Sequence, residues 1–216
     1  IKTHNLQEIK LDLIKNFEHN HITLVNGKLL NNNFKYEDDK KIEIKDYSNE
    51  KFNNEKQKNP LVYLNHALSI NGFDLEVKDD YKFKKVLIIY NLFTDDLNEN
   101  ILNSRNRIKV GKNSELHVID YTINKSKKNF FNNVYEELIL EDTANFKNIS
   151  IQKDISNGYF HKFSKNFLAT KSNYSSFIFP TGLKFNKLDL EFNLEGENSE
   201  CNLQAASMLQ NGDHQE

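Results

Sequence analysis

A single cysteine, Cys201, stands in 216 residues, so no internal disulfide can form and a reducing compartment is the natural reading. Long apolar runs are missing too. The longest, VLIIY at 86–90, is the size of a strand, far short of the roughly 18–20 residues that span a bilayer as a helix. The chain has no excess of one charge: 29 basic and 31 acidic residues leave a net −2, which argues against a general nucleic-acid binder. No Gly-x-x-x-x-Gly-Lys-Ser/Thr loop occurs, and without it there is no P-loop cradle for phosphates. No secretory leader opens the chain. It begins at Ile1 rather than Met, consistent with a removed leader or a fragment.

What is present suits one or two domains with a substantial core. About one residue in seven is Asn, a residue that tolerates left-handed backbone and suits turns. Its abundance, with Lys and Ile, also fits a compositional drift. Leu6, Ile9, Leu13, Ile14 and Phe17 are spaced for one helix face over 3–17. ITLVNGKLL (22–30) reads as a hairpin turned at Asn26-Gly27, the favoured pair for a two-residue turn. Residues 31–59 are polar, a surface excursion with a possible strand at Ile42–Ile44. Helical spacing returns at 60–70 behind Pro60.

From about residue 73 the period becomes two. FDLEV (73–77), KVLIIYNLF (85–93), NRIKV (106–110), ELHVIDYTI (115–123) and LDLEFNL (188–194) all read as strands. Three turn units resemble one another: LEDTANFKNI from Leu140, LATKSNYSSF from Leu168 and LEGENSECNL from Leu194. Each returns to an apolar residue nine positions on, at Ile149, Phe177 and Leu203, and VGKNSELHV (110–118) is a looser copy. A strand–turn–strand unit of this length cannot bury its apolar face alone but can when stacked. The pattern predicts a mainly β chain folded as a β-solenoid, with Leu140, Leu168 and Leu194 equivalent in successive coils. A β-sandwich is the competing reading.

No residue constellation defines a reaction, and no catalytic or metal-binding set is assigned. His19 and His21 share a strand face without a third ligand and read as a surface pair. His66 and His214 are scattered. His117 reads as a solvent-side or satisfied partner residue and His161, between Phe160 and Phe163, as packing. Cys201 could ligate iron but reads as a small buried hydrophobe. Asp213-His214 with Asp189 or Glu191 supplies acid–base types without a defining spacing. The basic pairs in FKKV (83–86) and SKKN (126–129) read as solvated faces, and the sequons at Asn124, Asn148 and Asn173 as chance matches. Neither ATP hydrolysis nor sugar cleavage is expected.

Several stretches resemble the SufB/SufD family of iron–sulfur cluster assembly proteins, SufD more than SufB: ITLVNGKL, NRIKVGKNSELHVIDY, FFNNVYEELILEDTANFKNISIQ, FHKFSKNFLATKSNYSSFIFPTG and LDLEFNLEGENSECNLQAASMLQNGDHQE. The resemblance lies in their order over residues 22–216, and no longer, cysteine-containing SufB-like N-terminal region is present. It implies a right-handed parallel β-helix over residues 71–216, with an N-terminal helix and hairpin cap over 1–70 that contains the variable segment 31–59. It further implies a non-catalytic scaffold working with a SufB-like subunit and a separate SufC-like ATPase. The cluster is then handled by the parent complex, and this chain binds no cofactor of its own. Bacterial cytoplasm or a plastid is the implied location, with neither nucleic acid nor membrane as partner. The match stops at NGDHQE, near the middle of a family β-helix, so the chain is expected to be a fragment that self-associates and does not bind the ATPase. An unrelated carbohydrate-active or adhesive solenoid is the alternative.

Overall fold

The computed structural model describes residues 14–47, 59–97, 100–153, 158–181, 184–209 and 212–216. Fourteen strands and one α-helix are found among these residues. The first part holds β1 (Asn20–Val25), β2 (Lys28–Asn33), β3 (Ile42–Asp46) and α1 (Pro60–Leu68). Next come β4 (Asn71–Val77), β5 (Leu87–Phe93), β6 (Ile101–Val110), β7 (Glu115–Asn124) and β8 (Phe130–Leu140). The rest are β9 (Asn145–Lys153), β10 (Gly158–Leu168), β11 (Asn173–Phe179), β12 (Phe185–Leu194), β13 (Glu200–Ala205) and β14 (His214–Gln215).

From β4 onward, successive strands alternate between two seven-stranded sheets. Sheet A runs β13-β11-β9-β7-β5-β1-β2, and sheet B runs β14-β12-β10-β8-β6-β4-β3. Each strand therefore pairs in parallel with the strand two places along the chain. The result is a β-solenoid of about four turns. Antiparallel pairing is confined to one end, in β1–β2 and β3–β4. β1 pairs in parallel with β5, so the hairpin extends sheet A directly. Its turn has positive φ at both Asn26 and Gly27, as the sequence pair requires.

The repeat seen in the sequence is the coil. Leu168 stands opposite Leu140 on one side and Leu194 on the other. The column continues through Val110 to Val77. Leu140, Leu168, Val110 and Val77 are all buried. Each of these four, and Leu194, is followed by a turn whose one left-handed residue falls two places before the next sheet A pairing: Asp80, Asn113, Thr143, Lys171 and Asn198. Phe177 faces Ile149 as the repeat predicts, but Leu203 faces Ser176, one residue out of step. The cause is one extra residue between Leu194 and Glu200. The N–H groups of Glu195 and Gly196 both donate to the Leu168 carbonyl (3.0 and 3.2 Å), which absorbs it. Gly196 is required there, because a Cβ would overlap the Thr170 backbone.

Strand alternation sends Leu87, Ile89, Leu116, Val118, Phe146 and Tyr174 from sheet A against Phe73, Leu75, Ile108, Leu138 and Leu168 from sheet B. Full burial of each such side chain contributes roughly 1.5–3 kcal/mol. Ile149 and Phe177 point the other way and remain about 40% exposed (43% and 39%), so the apolar return of the repeat lies on the outer face, not in the core.

α1 starts as its sequence dictates. The Asn59 side-chain oxygen accepts from Leu61 N (2.9 Å), and Pro60 occupies the first turn, where no N–H is needed. The helix lies on the outer face of sheet B. Val62 packs there with Tyr135 and Phe163, and the Asn65 amide donates to the Ser104 and Asn133 carbonyls. The helix reading for 3–17 falls mostly outside the described residues, and residues 14–19 are irregular.

Candidate functional site

The chemistry-bearing side chains form rows across neighbouring coils. The first row is internal. On β10, alternation sends Lys162 between the sheets, where an unpaired ammonium would be costly. Its Nζ lies 2.9 Å from Glu136 and 3.3 Å from Asp120, one carboxylate from each sheet. All three side chains are less than a fifth exposed (12%, 17% and 18%). Burial works against the ammonium, but Glu136 and then Asp120 more than offset it and hold the Lys162 pKa above the usual lysine value. Polar residues line the cavities on both sides of this bridge. Asn91, Ser104, Asn106 and Asn132 lie on one side, and Asn148, Ser150, Ser164 and Tyr174 on the other.

The second row crosses the outer face of sheet B. Lys45, Asp74, Arg107, Glu137, Lys165 and Glu191 are strand-to-strand partners on β3, β4, β6, β8, β10 and β12. Their charges alternate in sign. Neighbouring strands are about 4.8 Å apart, so opposite charges are adjacent and like charges are two strands apart. Arg107 is 2.9 Å from Asp74 and 3.7 Å from Glu137. Burial pushes the Glu137 carboxyl up, against the pull of Arg107, Arg105 and Lys165. Beside this row, the fully buried Arg105 guanidinium sits 4.9 Å over the Tyr135 ring and reaches the Tyr47 hydroxyl.

The third row is a hydrogen-bond wire beneath α1. Asn133 donates to Asn103 Oδ1 and to the Leu61 carbonyl (both 2.8 Å). Asn133 Oδ1 lies 2.8 Å from His161 Nδ1, and His161 Nε2 lies 3.0 Å from Asp189 Oδ2. Asn59 donates to that same Asp189 oxygen at 3.0 Å.

Several sequence readings change here. His161 is fully buried but polar-bonded at both nitrogens, not merely packed. Asp189 partners His161, while His214 stacks on Phe185. Cys201 is exposed, not a core residue, because β13 forms the edge of sheet A and pairs with β11 alone. His19 and His21 do not share a strand. His19 precedes β1, with Nε2 at 3.0 Å from the Tyr90 hydroxyl and Nδ1 at 3.0 Å from the Phe17 carbonyl. His117 sits beside Glu115, partly in solvent, as its strand position predicts. His66 packs edge-on against Tyr135. The main-chain amides of Lys84 and Lys85 are bound by Glu37 and that of Lys127 by Asp95, which makes these basic pairs parts of structured turns. Among the described residues, no group of three or more His, Cys, Asp or Glu side chains is placed to hold a metal.

Alternate strands in two parallel sheets, in register across the coils and with charged rows on and between the faces, define a β-solenoid whose polar groups bind one another across the coils. Residues 92–216 match the SufBD core domain of the SUF system of iron–sulfur cluster assembly. The match spans more than half of the chain, which therefore belongs to the SufBD family, a non-catalytic component of cluster assembly. No curated protein shows significant similarity to the chain.

Proposed function

We propose that the chain is a SufD-like scaffold subunit that works with a SufB-like protein and a SufC-like ATPase, the iron–sulfur cluster being cargo of the assembled complex. The observation that carries this reading is the unbroken parallel register in both sheets, β4 to β12 in sheet B and β5 to β11 in sheet A, which presents two long outer faces, within a chain of the SufBD family. The charged residues of the solenoid support it as well, since Lys162, Arg107 and Lys165 are engaged with carboxylates on neighbouring strands. The choice of SufD over SufB rests on sequence resemblance. The reading places the protein in a reducing compartment, bacterial cytoplasm or plastid.

The test is co-expression with SufB-like and SufC-like subunits, followed by affinity purification and assay of iron and acid-labile sulfide. Stoichiometric recovery of the SufB-like subunit, with cluster formation dependent on the chain, supports the scaffold role. Recovery of the chain alone, with cluster formation unchanged in its absence, overturns it.

A further inference from the structure

The wire beneath α1 contains one proton more than a neutral imidazole beside a carboxylate can supply. Two main-chain groups fix its polarity. The Leu61 carbonyl can only accept, so the Asn133 side-chain nitrogen must face it, and Asn133 Oδ1 must face His161. His161 Nδ1 therefore carries a hydrogen. At the other end, Leu61 N can only donate, so Asn59 Oδ1 faces it and the Asn59 nitrogen faces Asp189 Oδ2. That leaves His161 Nε2 at 3.0 Å from a carboxylate oxygen. With Nδ1 already protonated, a neutral ring would set a bare lone pair against Asp189.

We propose that His161 and Asp189 share a bound proton, held as imidazolium and carboxylate, and that it latches the start of α1 to sheet B. On the carboxylate side, Lys187 Nζ lies 3.5 Å from Asp189 Oδ1 and the Asn59 amide donates to Oδ2. The groups around the ring come from every element packed on it. β12 brings Asp189 and Lys187, β8 brings Asn133, and α1 brings the Asn59 cap, with His66 further along over Tyr135. On β6, Arg105 is engaged with Tyr135 and Tyr47. Burial, aided by Lys187, lowers the pKa of His161, and Asp189 opposes them. The fixed Asn133 amide outweighs this lowering: Nδ1 already carries its hydrogen, so a neutral ring could present only a lone pair to the Asp189 oxygen.

The latch works in one direction. A His held protonated in the fold contributes stability that is complete below its unfolded pKa and lost as pH rises through the folded one. When the proton leaves, Nε2 and Asp189 repel. Asp189 also holds the helix cap, so the first turn of α1 loosens.

The test is nitrogen-detected NMR of histidine-labelled protein across neutral and alkaline pH, with hydrogen exchange of α1 amides. The expected result is hydrogen on both His161 ring nitrogens at pH 7. Protection of residues 61–65 should fall by up to about tenfold per pH unit between the ordinary histidine pKa and the folded one, the slope of one linked proton, and level off above it. In Asp189→Asn no imidazolium–carboxylate pair forms, so the pH-dependent part of this loss should vanish, although one amide cannot both donate to Nε2 and accept from Asn59 at that atom. A bare Nε2 at pH 7 in the wild-type protein overturns the proposal, even if the variant does not fold. Equal loss of protection in wild type and Asp189→Asn also overturns it.

Discussion

Lys162 Nζ lies 2.9 Å from Glu136 Oε2 between the two sheets, with Asp120 3.3 Å away on the opposite sheet. Lys162→Met would leave two carboxylates in the interior without their cation. Removing one partner of a buried pair costs about 3–5 kcal/mol. Urea denaturation at pH 7 should show a loss of about 3 kcal/mol, the low end because the cluster is not wholly dry. An unchanged midpoint would show that the bridge is not buried in solution.

Gly72 adopts φ +127, a region open to glycine, and faces Arg105 across β4 and β6. A Cβ there would overlap the Arg105 carbonyl oxygen. Gly72→Ala should cost more than about 2 kcal/mol, since strained backbone and a main-chain clash add. Gly212→Ala meets no neighbouring atom within 4 Å and serves as the control. Thermal melts of the two variants should differ clearly, and equal melts would contradict the close approach of these strands.

Thr143 is β-branched yet has φ 60, at a turn position where equivalent coils carry Asn113 and Asn198. Left-handed backbone costs an ordinary L-residue roughly 1–2 kcal/mol, and Asn bears it better. Thr143→Asn should raise stability by about 1 kcal/mol despite loss of the Thr143 hydroxyl bond to the Asp142 carbonyl. A fall in melting temperature would show that this bond outweighs the strain.

His66 behaves oppositely to the latch. Burial, then the Arg105 charge, lowers its pKa to about 4 from an ordinary 6.5. Between these values the unfolded chain binds a proton that the folded chain does not, so stability is complete above pH 6.5 and falls as pH drops toward 4. His66→Phe keeps a ring against Tyr135 and should flatten stability across that window. The same slope in both proteins, measured by urea titration at each pH, would assign the acid sensitivity elsewhere.

The coils were legible in the sequence because their signal is local. Leu140, Leu168 and Leu194 each precede a turn, and strand alternation on either side marks the faces. The Asn26-Gly27 hairpin and the Pro60 start of α1 were visible for the same reason. The rows were not, because their members are separated by whole coils. Asp74, Arg107, Glu137, Lys165 and Glu191 look like ordinary surface charge until the register aligns them. His161 reads as packing because its sequence neighbours are aromatic, while its partners Asn133 and Asp189 each lie 28 residues away. The exposure of Cys201 is not legible in the sequence, because alternation gives the direction of a side chain but not whether another strand covers it.

The doubled bond at the Leu168 carbonyl lets the turn after Leu194 carry one more residue while the strands on either side stay aligned. A shift of one residue within a strand would send every later side chain to the wrong face. At this corner the in-and-out alternation is instead reset with each coil, and a length change in one rung does not propagate to the next. Drift in repeat length can accumulate here without disturbing the core, which is why a search at one fixed period blurs this architecture. Peptide tags placed at the same corner should be tolerated where the same tags in β8 or β10 would not be.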